Sequence, residues 1–141
     1  MNTQNTPKDT SFRLQLKLSA LWASMMFLYI YVDYFALYMP GKVEGIRQGK
    51  VFIFDITQGF LLAALASVTI PALMIFLSVA LPAKLNRWVN ILIAGIYIPY
   101  TLFNLTGEAW MHMVFGAIVE VVLLCLIIRY AWKWAPMKDR R

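Results

Sequence analysis

The sequence predicts an all-α fold: an integral membrane bundle of four transmembrane helices with both termini in the cytoplasm. Three observations predict it. The 141 residues are 61% hydrophobic and 14% charged, against about 45–50% and about 25% for a soluble domain. Mean hydropathy is +0.66 for a chain of 16.2 kDa, and a soluble domain of that size has too large a surface to be covered by so little charge. Four apolar stretches, 18–39, 59–81, 88–106 and 109–132, reach roughly 28–36 Å as helices, enough for a hydrocarbon core of about 30 Å. This composition excludes disorder, a collagen-like chain, a disulfide scaffold and a nucleic-acid-binding domain; membrane lipids, not nucleic acid, are the expected surroundings.

The head, residues 1–17, is polar and carries Asn, Thr, Gln and Pro7, which reads as a short mobile cytoplasmic tail. The first span, 18–39, is long for a signal-peptide core of about 7–15 residues and no small-residue cleavage site follows it, so it is expected to stay uncleaved. The connection 40–58 is broken by Gly41, Gly45 and Gly49, and Val51-Phe52-Ile53-Phe54 is too short to cross a bilayer. It reads as an interfacial or re-entrant segment capping the bundle, or as a plain surface loop. Span two, 59–81, carries Gly59, Ala63 and Ser67, a small-xxx-small run that allows close backbone approach. Spans three and four, 88–106 and 109–132, are followed by a basic cytoplasmic tail, 133–141.

Direction follows from the thirteen basic residues. Lys8, Arg13, Lys17, Lys84, Arg87, Arg129, Lys133, Lys138, Arg140 and Arg141 fall on one side and Lys42, Arg47 and Lys50 on the other. The positive-inside rule then puts both ends in the cytoplasm and the connection 40–58 outside, in a cytoplasmic (inner) membrane. The net charge of +6 is an orientation signal and an attraction to anionic lipid heads. Trp22, Trp88, Trp110, Trp132 and Trp134 lie near span ends, as interfacial anchors should.

Ionisable groups at membrane depth cost about 2.5–3.5 kcal/mol each, so an intramembrane carboxylate is a candidate site. There are two, Asp33 and Glu120, roughly 8–9 Å and roughly 15 Å below the outer boundary by helical rise. Helical spacing gives each a polar stripe: Trp22, Met26, Tyr29 and Asp33 in span one; Glu108, His112, Gly116 and Glu120 in span four. Span three adds Asn90, Tyr97, Thr101 and Asn104. Depth puts Tyr29, Thr69, Tyr97 and Glu120 in one layer and Asp33 with Tyr100 in a shallower one. The candidate ligand- and proton-binding residues are therefore Asp33, Glu120, Tyr29, Tyr97, Tyr100 and Thr69, with His112 at the mouth, where an interfacial role is the plainer reading. The same carboxylates could equally do no more than bond tyrosines across helices and hold the bundle in register. Pro71 and Pro99 leave the carbonyls of Ser67 and Gly95 without their usual helical donors. Cys125 and His112 are the only cysteine and histidine, so no thiol exchange, iron–sulfur, bis-histidine haem or four-ligand metal site fits one chain. No cofactor and no metal are expected.

Leu18-Ser19-Ala20-Leu21-Trp22, Tyr29-Ile30-Tyr31-Val32-Asp33, Ile70-Pro71, Asn86-Arg87-Trp88-Val89-Asn90-Ile91 and Tyr130-Ala131-Trp132-Lys133-Trp134 together resemble the DUF6326 family of small bacterial four-helix membrane proteins without an established function. The resemblance spans nearly the whole chain. It implies an acid just before the Ile-Pro of span two, where this sequence has Thr69, and that departure weakens any mechanism needing three intramembrane acids.

Three functions compete. The first is ligand binding or proton-coupled transport through an outer-half polar pocket, with proton uptake by Glu120 coupled to binding of a small molecule. Four helices enclose little space, so transport implies a homodimer. The second is an interaction subunit of a membrane complex, which a lipid-exposed small-xxx-small face on span two would favour. The third, a membrane enzyme acting on a lipid-like substrate with Asp33 or Glu120 as general base, is weaker because no serine–histidine, metal or cofactor signature supports it.

Overall fold

The computed structural model describes residues 7–51, 53–106 and 110–134, with side chains from residue 10 onward. The fold is all-α apart from one minute hairpin: α1 (Pro7–Ala36), α2 (Lys42–Arg47), β1 (Lys50–Val51), β2 (Phe54–Asp55), α3 (Gln58–Ala80), α4 (Ala83–Phe103) and α5 (Met111–Lys133). α1 packs against α3 and α5, and α4 packs against α5 and more lightly against α3. The four long helices thus close a ring in which α1 and α4 face each other across the middle.

Helix α1 starts at Pro7, well before the apolar stretch, and runs for 30 residues. Proline suits a first helical turn because its φ is already helical and its missing N–H has no intrahelical partner there. No glycine or second proline interrupts the segment that follows. The buried face of α1 is Leu18, Trp22, Met25 and Tyr29, spaced four, three and four residues apart as a helical core face requires. Met25, not the expected Met26, carries that face; Met26 packs beside it half-buried. The helix ends at Ala36 in successive turns closed by Leu37, Tyr38 and Met39 amides. Gly41 then takes φ +80, a left-handed conformation that a side chain would strain.

The connection that follows holds the exposed α2, with an Arg47–Glu44 ion pair at 3.7 Å, and the hairpin pairing Lys50 with Asp55 and Val51 with Phe54. Thr57 caps α3 by accepting the Phe60 amide at 3.1 Å. This helix buries Pro71, Met74 and Ser78 and leaves Leu61, Leu62, Leu65, Leu73 and Phe76 exposed. Such a face is stable only against lipid or protein.

Helices Thr10–Ala36, Gln58–Ala80 and Met111–Lys133 are long and apolar enough to cross a membrane. Helix α4 does not meet that measure, although its 21 residues reach about 31 Å. The reason is its inward face, Asn86, Asn90, Ala94, Tyr97 and Thr101, which is buried and mostly polar, while Leu92, Ile96 and Leu102 are exposed. The helix is inside-out with respect to a soluble one.

The core fills the end of the bundle nearest the chain termini: Leu18, Trp22, Met25, Met74, Leu124, Ile127 and Ala131. A polar lock runs through it. The Trp22 indole donates to Asn90 Oδ1 at 2.7 Å and the Ser78 hydroxyl to the same oxygen at 3.2 Å. Asn90 Nδ2 donates to Asn86 Oδ1 at 2.6 Å and to the Asn86 carbonyl at 2.9 Å, and Asn86 Nδ2 reaches the Ser78 carbonyl at 2.6 Å. Trp22 is therefore a fully buried core residue and not the interfacial anchor its position near a span end suggests. Trp88, Trp110 and Trp132 are exposed.

A two-carboxylate cavity as candidate functional site

At the opposite end, nearest the α1–α3 connection, the helices splay around a cavity of about 770 Å³. Helix α1 contributes Tyr29, Val32 and Asp33, and α5 contributes Met113, Ala117 and Glu120. Phe60, Ala63, Ala64 and Ser67 come from α3, and Tyr100, Thr101 and Phe103 from α4. Lys42, Val51, Ile53 and Phe54 of the connection wall its mouth, so this segment covers the bundle end and does not cross.

Glu120 is 5% exposed and its Oε2 accepts from the Thr101 hydroxyl at 3.1 Å. Thr101 has one hydroxyl proton and spends it on that bond, so the Tyr29 hydroxyl, 3.3 Å away, must donate to Thr101 Oγ1. The result is a directed chain, Tyr29 to Thr101 to Glu120, spanning three helices. Asp33, one turn beyond Tyr29 on the same face of α1, is open to the cavity and, among the described residues, has no hydrogen-bond partner. One acid is held and the other is available.

The α3 side is built on a proline effect. Pro71 has no N–H to give the Ser67 carbonyl, and the Tyr97 hydroxyl donates to that carbonyl instead. The Tyr100 hydroxyl lies 3.0 Å from Ser67 Oγ, which itself donates to the Ala64 carbonyl at 2.7 Å. That bond uses the Ser67 proton, so Tyr100 donates to Ser67. The small residues at 63, 64 and 67 let the two tyrosines come close. Tyr97 also meets Trp22 edge-on, with ring centroids 6.5 Å apart, and so joins the cavity floor to the core.

Asp33, Glu120, Tyr29 and Tyr100 thus share one cavity, and Tyr97 sits beneath it as a support. Thr69 does not join them. It is exposed and bonds back to the Leu65 carbonyl at 2.7 Å, because two residues beyond Ser67 is about 200° around a helix; depth alone had put it in the layer. His112 is half-buried beside Trp110, its ring 6.4 Å away, and does not line the cavity; its Nε2 is buried without a partner among the described residues. Glu108 lies outside the described residues. Gly116 serves packing: a Cβ there would come 2.5 Å from Val32 Cγ2, so α1 and α5 touch at this point. Thr101 and Ser67 are central, yet the sequence marked Thr101 only as part of a polar face, and Ser67 only for a small-residue run and for the carbonyl that Pro71 frees. Their signal was the four-residue step from Tyr97 to Thr101 and from Ser67 to Pro71. Among the described residues no group of three or more His, Cys, Asp or Glu comes together, so a metal ion would find at most two carboxylates here.

Residues 9–139 match a family of unknown function, DUF6326. The chain belongs to that family. No curated protein and no solved structure matches it. For this DUF6326 member, any functional assignment therefore has to come from the cavity itself.

Proposed function

We propose that this DUF6326 protein spans the cytoplasmic membrane four times with both termini inside, binds a small molecule in the cavity from the outer side, and exchanges a proton at Glu120 as it does so. The observation that carries the reading is the convergence of two carboxylates from different helices on one cavity, one buried on a hydrogen-bonded chain and one unbonded among the described residues. A buried acid that only held the bundle together would need no second, open acid beside it.

The fourth crossing is supported by α4 itself. Its polar face is spent inside the bundle on Asn86, Asn90, Tyr97 and Thr101, and its outward face is apolar. The both-ends-inside arrangement is supported by Arg13, Lys17, Lys84, Arg87, Arg129 and Lys133 gathering at the terminal end, where cytoplasmic lipid heads attract them. In this reading Asp33, Glu120, Tyr29 and Tyr100 contact the ligand, and Tyr97 positions Ser67 and Tyr100. Below them the Trp22–Asn90–Ser78–Asn86 lock fills the other end of the bundle. Transport requires that lock to part. Of the run Gly59, Ala63 and Ser67 that would favour an interaction subunit, Ala63 and Ser67 line the cavity, which favours the ligand-binding reading.

The test is native mass spectrometry of the full chain in lipid nanodiscs, comparing wild type, Ala63→Trp and Glu120→Gln. The expected result is a small molecule carried by wild type, displaced by the indole of Ala63→Trp, and bound without pH dependence by Glu120→Gln. Equal occupancy in Ala63→Trp, or an unchanged pH profile in Glu120→Gln, overturns the proposal.

A further inference from the structure

We infer that the ligand of this cavity is a monovalent organic cation with an apolar, ring-sized body, bound between Asp33 and Glu120 against aromatic walls; the inference rests on the ligand-binding reading above. Two independent features of the cavity point there. The first is charge. Asp33 and Tyr29 face it from α1, Lys42 from α2, Tyr100 from α4 and Glu120 from α5, while α3 and the hairpin add no titratable side chain among the described residues. Two carboxylates face one lysine, so the lining carries a net negative charge that repels an anion. A neutral molecule would leave that one excess charge uncompensated at a depth where it is costly, and a monovalent cation balances it. Among the described residues a divalent metal ion would find two carboxylates and no third acidic, histidine or cysteine ligand, short of the oxygen-rich shell it requires.

The second feature is the wall. Tyr29, Phe54, Phe60, Tyr100 and Phe103 come from four different elements to line one space. Aromatic faces are negative and attract cations, with the strongest preference for bulky, weakly hydrated ones such as quaternary ammonium groups. A small inorganic cation would gain little from such a wall, because it would have to shed its water to reach it. A volume of about 770 Å³ falls in the range of about 300–1,000 Å³ typical of sites for drug-sized molecules. The ligand that uses both features carries one positive charge and a large apolar surface.

Such a cation and the proton compete at Glu120, so binding tightens as pH rises. By linkage, binding also releases a proton from Glu120.

The experiment uses two ions of the same shape and opposite charge, tetraphenylphosphonium and tetraphenylborate. Each is titrated by equilibrium dialysis against the full chain in nanodiscs, with empty nanodiscs and Ala63→Trp as backgrounds. Wild type is expected to bind the phosphonium saturably and more tightly at mildly alkaline than at mildly acidic pH. Asp33→Asn and Glu120→Gln are each expected to weaken it about tenfold, with unchanged thermal melting confirming that the carboxamides leave the fold intact. The borate is expected to give background only. Equal binding of both ions overturns the charge selection while leaving a ligand cavity in place. Absence of phosphonium binding, alongside a neutral or anionic molecule found by mass spectrometry, overturns the cation and keeps the cavity. Absence of both phosphonium binding and any co-purified molecule overturns the two readings together.

Discussion

Asn90 and Asp33 show how differently two polar side chains are used in one bundle. The Asn90 amide is fully committed, its oxygen to Trp22 and Ser78 and its nitrogen to Asn86, and it is 0% exposed. Asp33 is committed to nothing among the described residues. Where a buried polar group has all its partners it holds structure, and where a charged one faces a cavity without them it waits for a ligand. Asn90→Ala should therefore destabilise the protein by about 1–3 kcal/mol, because the Trp22 indole and the Ser78 hydroxyl lose their acceptor. Thermal unfolding in detergent measures this, and Asp33→Asn should melt with wild type in the same assay. The sequence marked both residues as polar in an apolar helix. It could not say which was satisfied, since that depends on Trp22 and Ser78 arriving from two other helices.

At the scale of elements, the helices were legible and their rotations less so. Four apolar stretches became four long helices whose ends shifted by a few residues, with the larger extension of α1 back to Pro7. Of the polar stripe of span three, Asn90, Tyr97 and Thr101 lie on the buried inward face of α4, while Asn104, at the helix end, is exposed. The stripe of span one was displaced by one residue at Met25, and Thr69 turned away altogether, because depth fixes height along a helix and not azimuth. Gly116 is where two elements meet most closely. Gly116→Ala should push α1 off α5 and cost about 1–3 kcal/mol through overpacking. Val32→Ala, which removes the side chain the new Cβ would strike, should restore most of the loss in the double variant. A thermal melt showing no recovery would mean that glycine acts there through the helix and not through the contact.

The whole molecule is polarised along its axis: one end is packed and locked, the other splayed around a two-carboxylate cavity under the α1–α3 connection. The basic residues of the four long helices gather at the packed end, which makes that end the cytoplasmic one in the proposed topology. A fluorescent protein fused after Arg141 should therefore be bright and a phosphatase fused there inactive. The same phosphatase inserted at Gly49, in the exposed connection, should be active. Reversed activities would turn the cavity toward the cytoplasm and with it the side from which a ligand enters.

Composition and spacing alone determined that this chain is helical, apolar enough for a membrane and punctuated by two acids, because hydrophobic runs and charge counts need no knowledge of which helix neighbours which. The Pro71 effect was also written in the chain: a missing N–H frees the Ser67 carbonyl wherever the helix lies. Only the tertiary structure decided that the Tyr97 hydroxyl fills that vacancy, that Thr101 links Tyr29 to Glu120, and that Asp33 and Glu120 open on the same cavity. Those outcomes depend on the order of helices around the ring and on the angle at which each is turned, and both are set by side-chain packing between segments far apart in sequence.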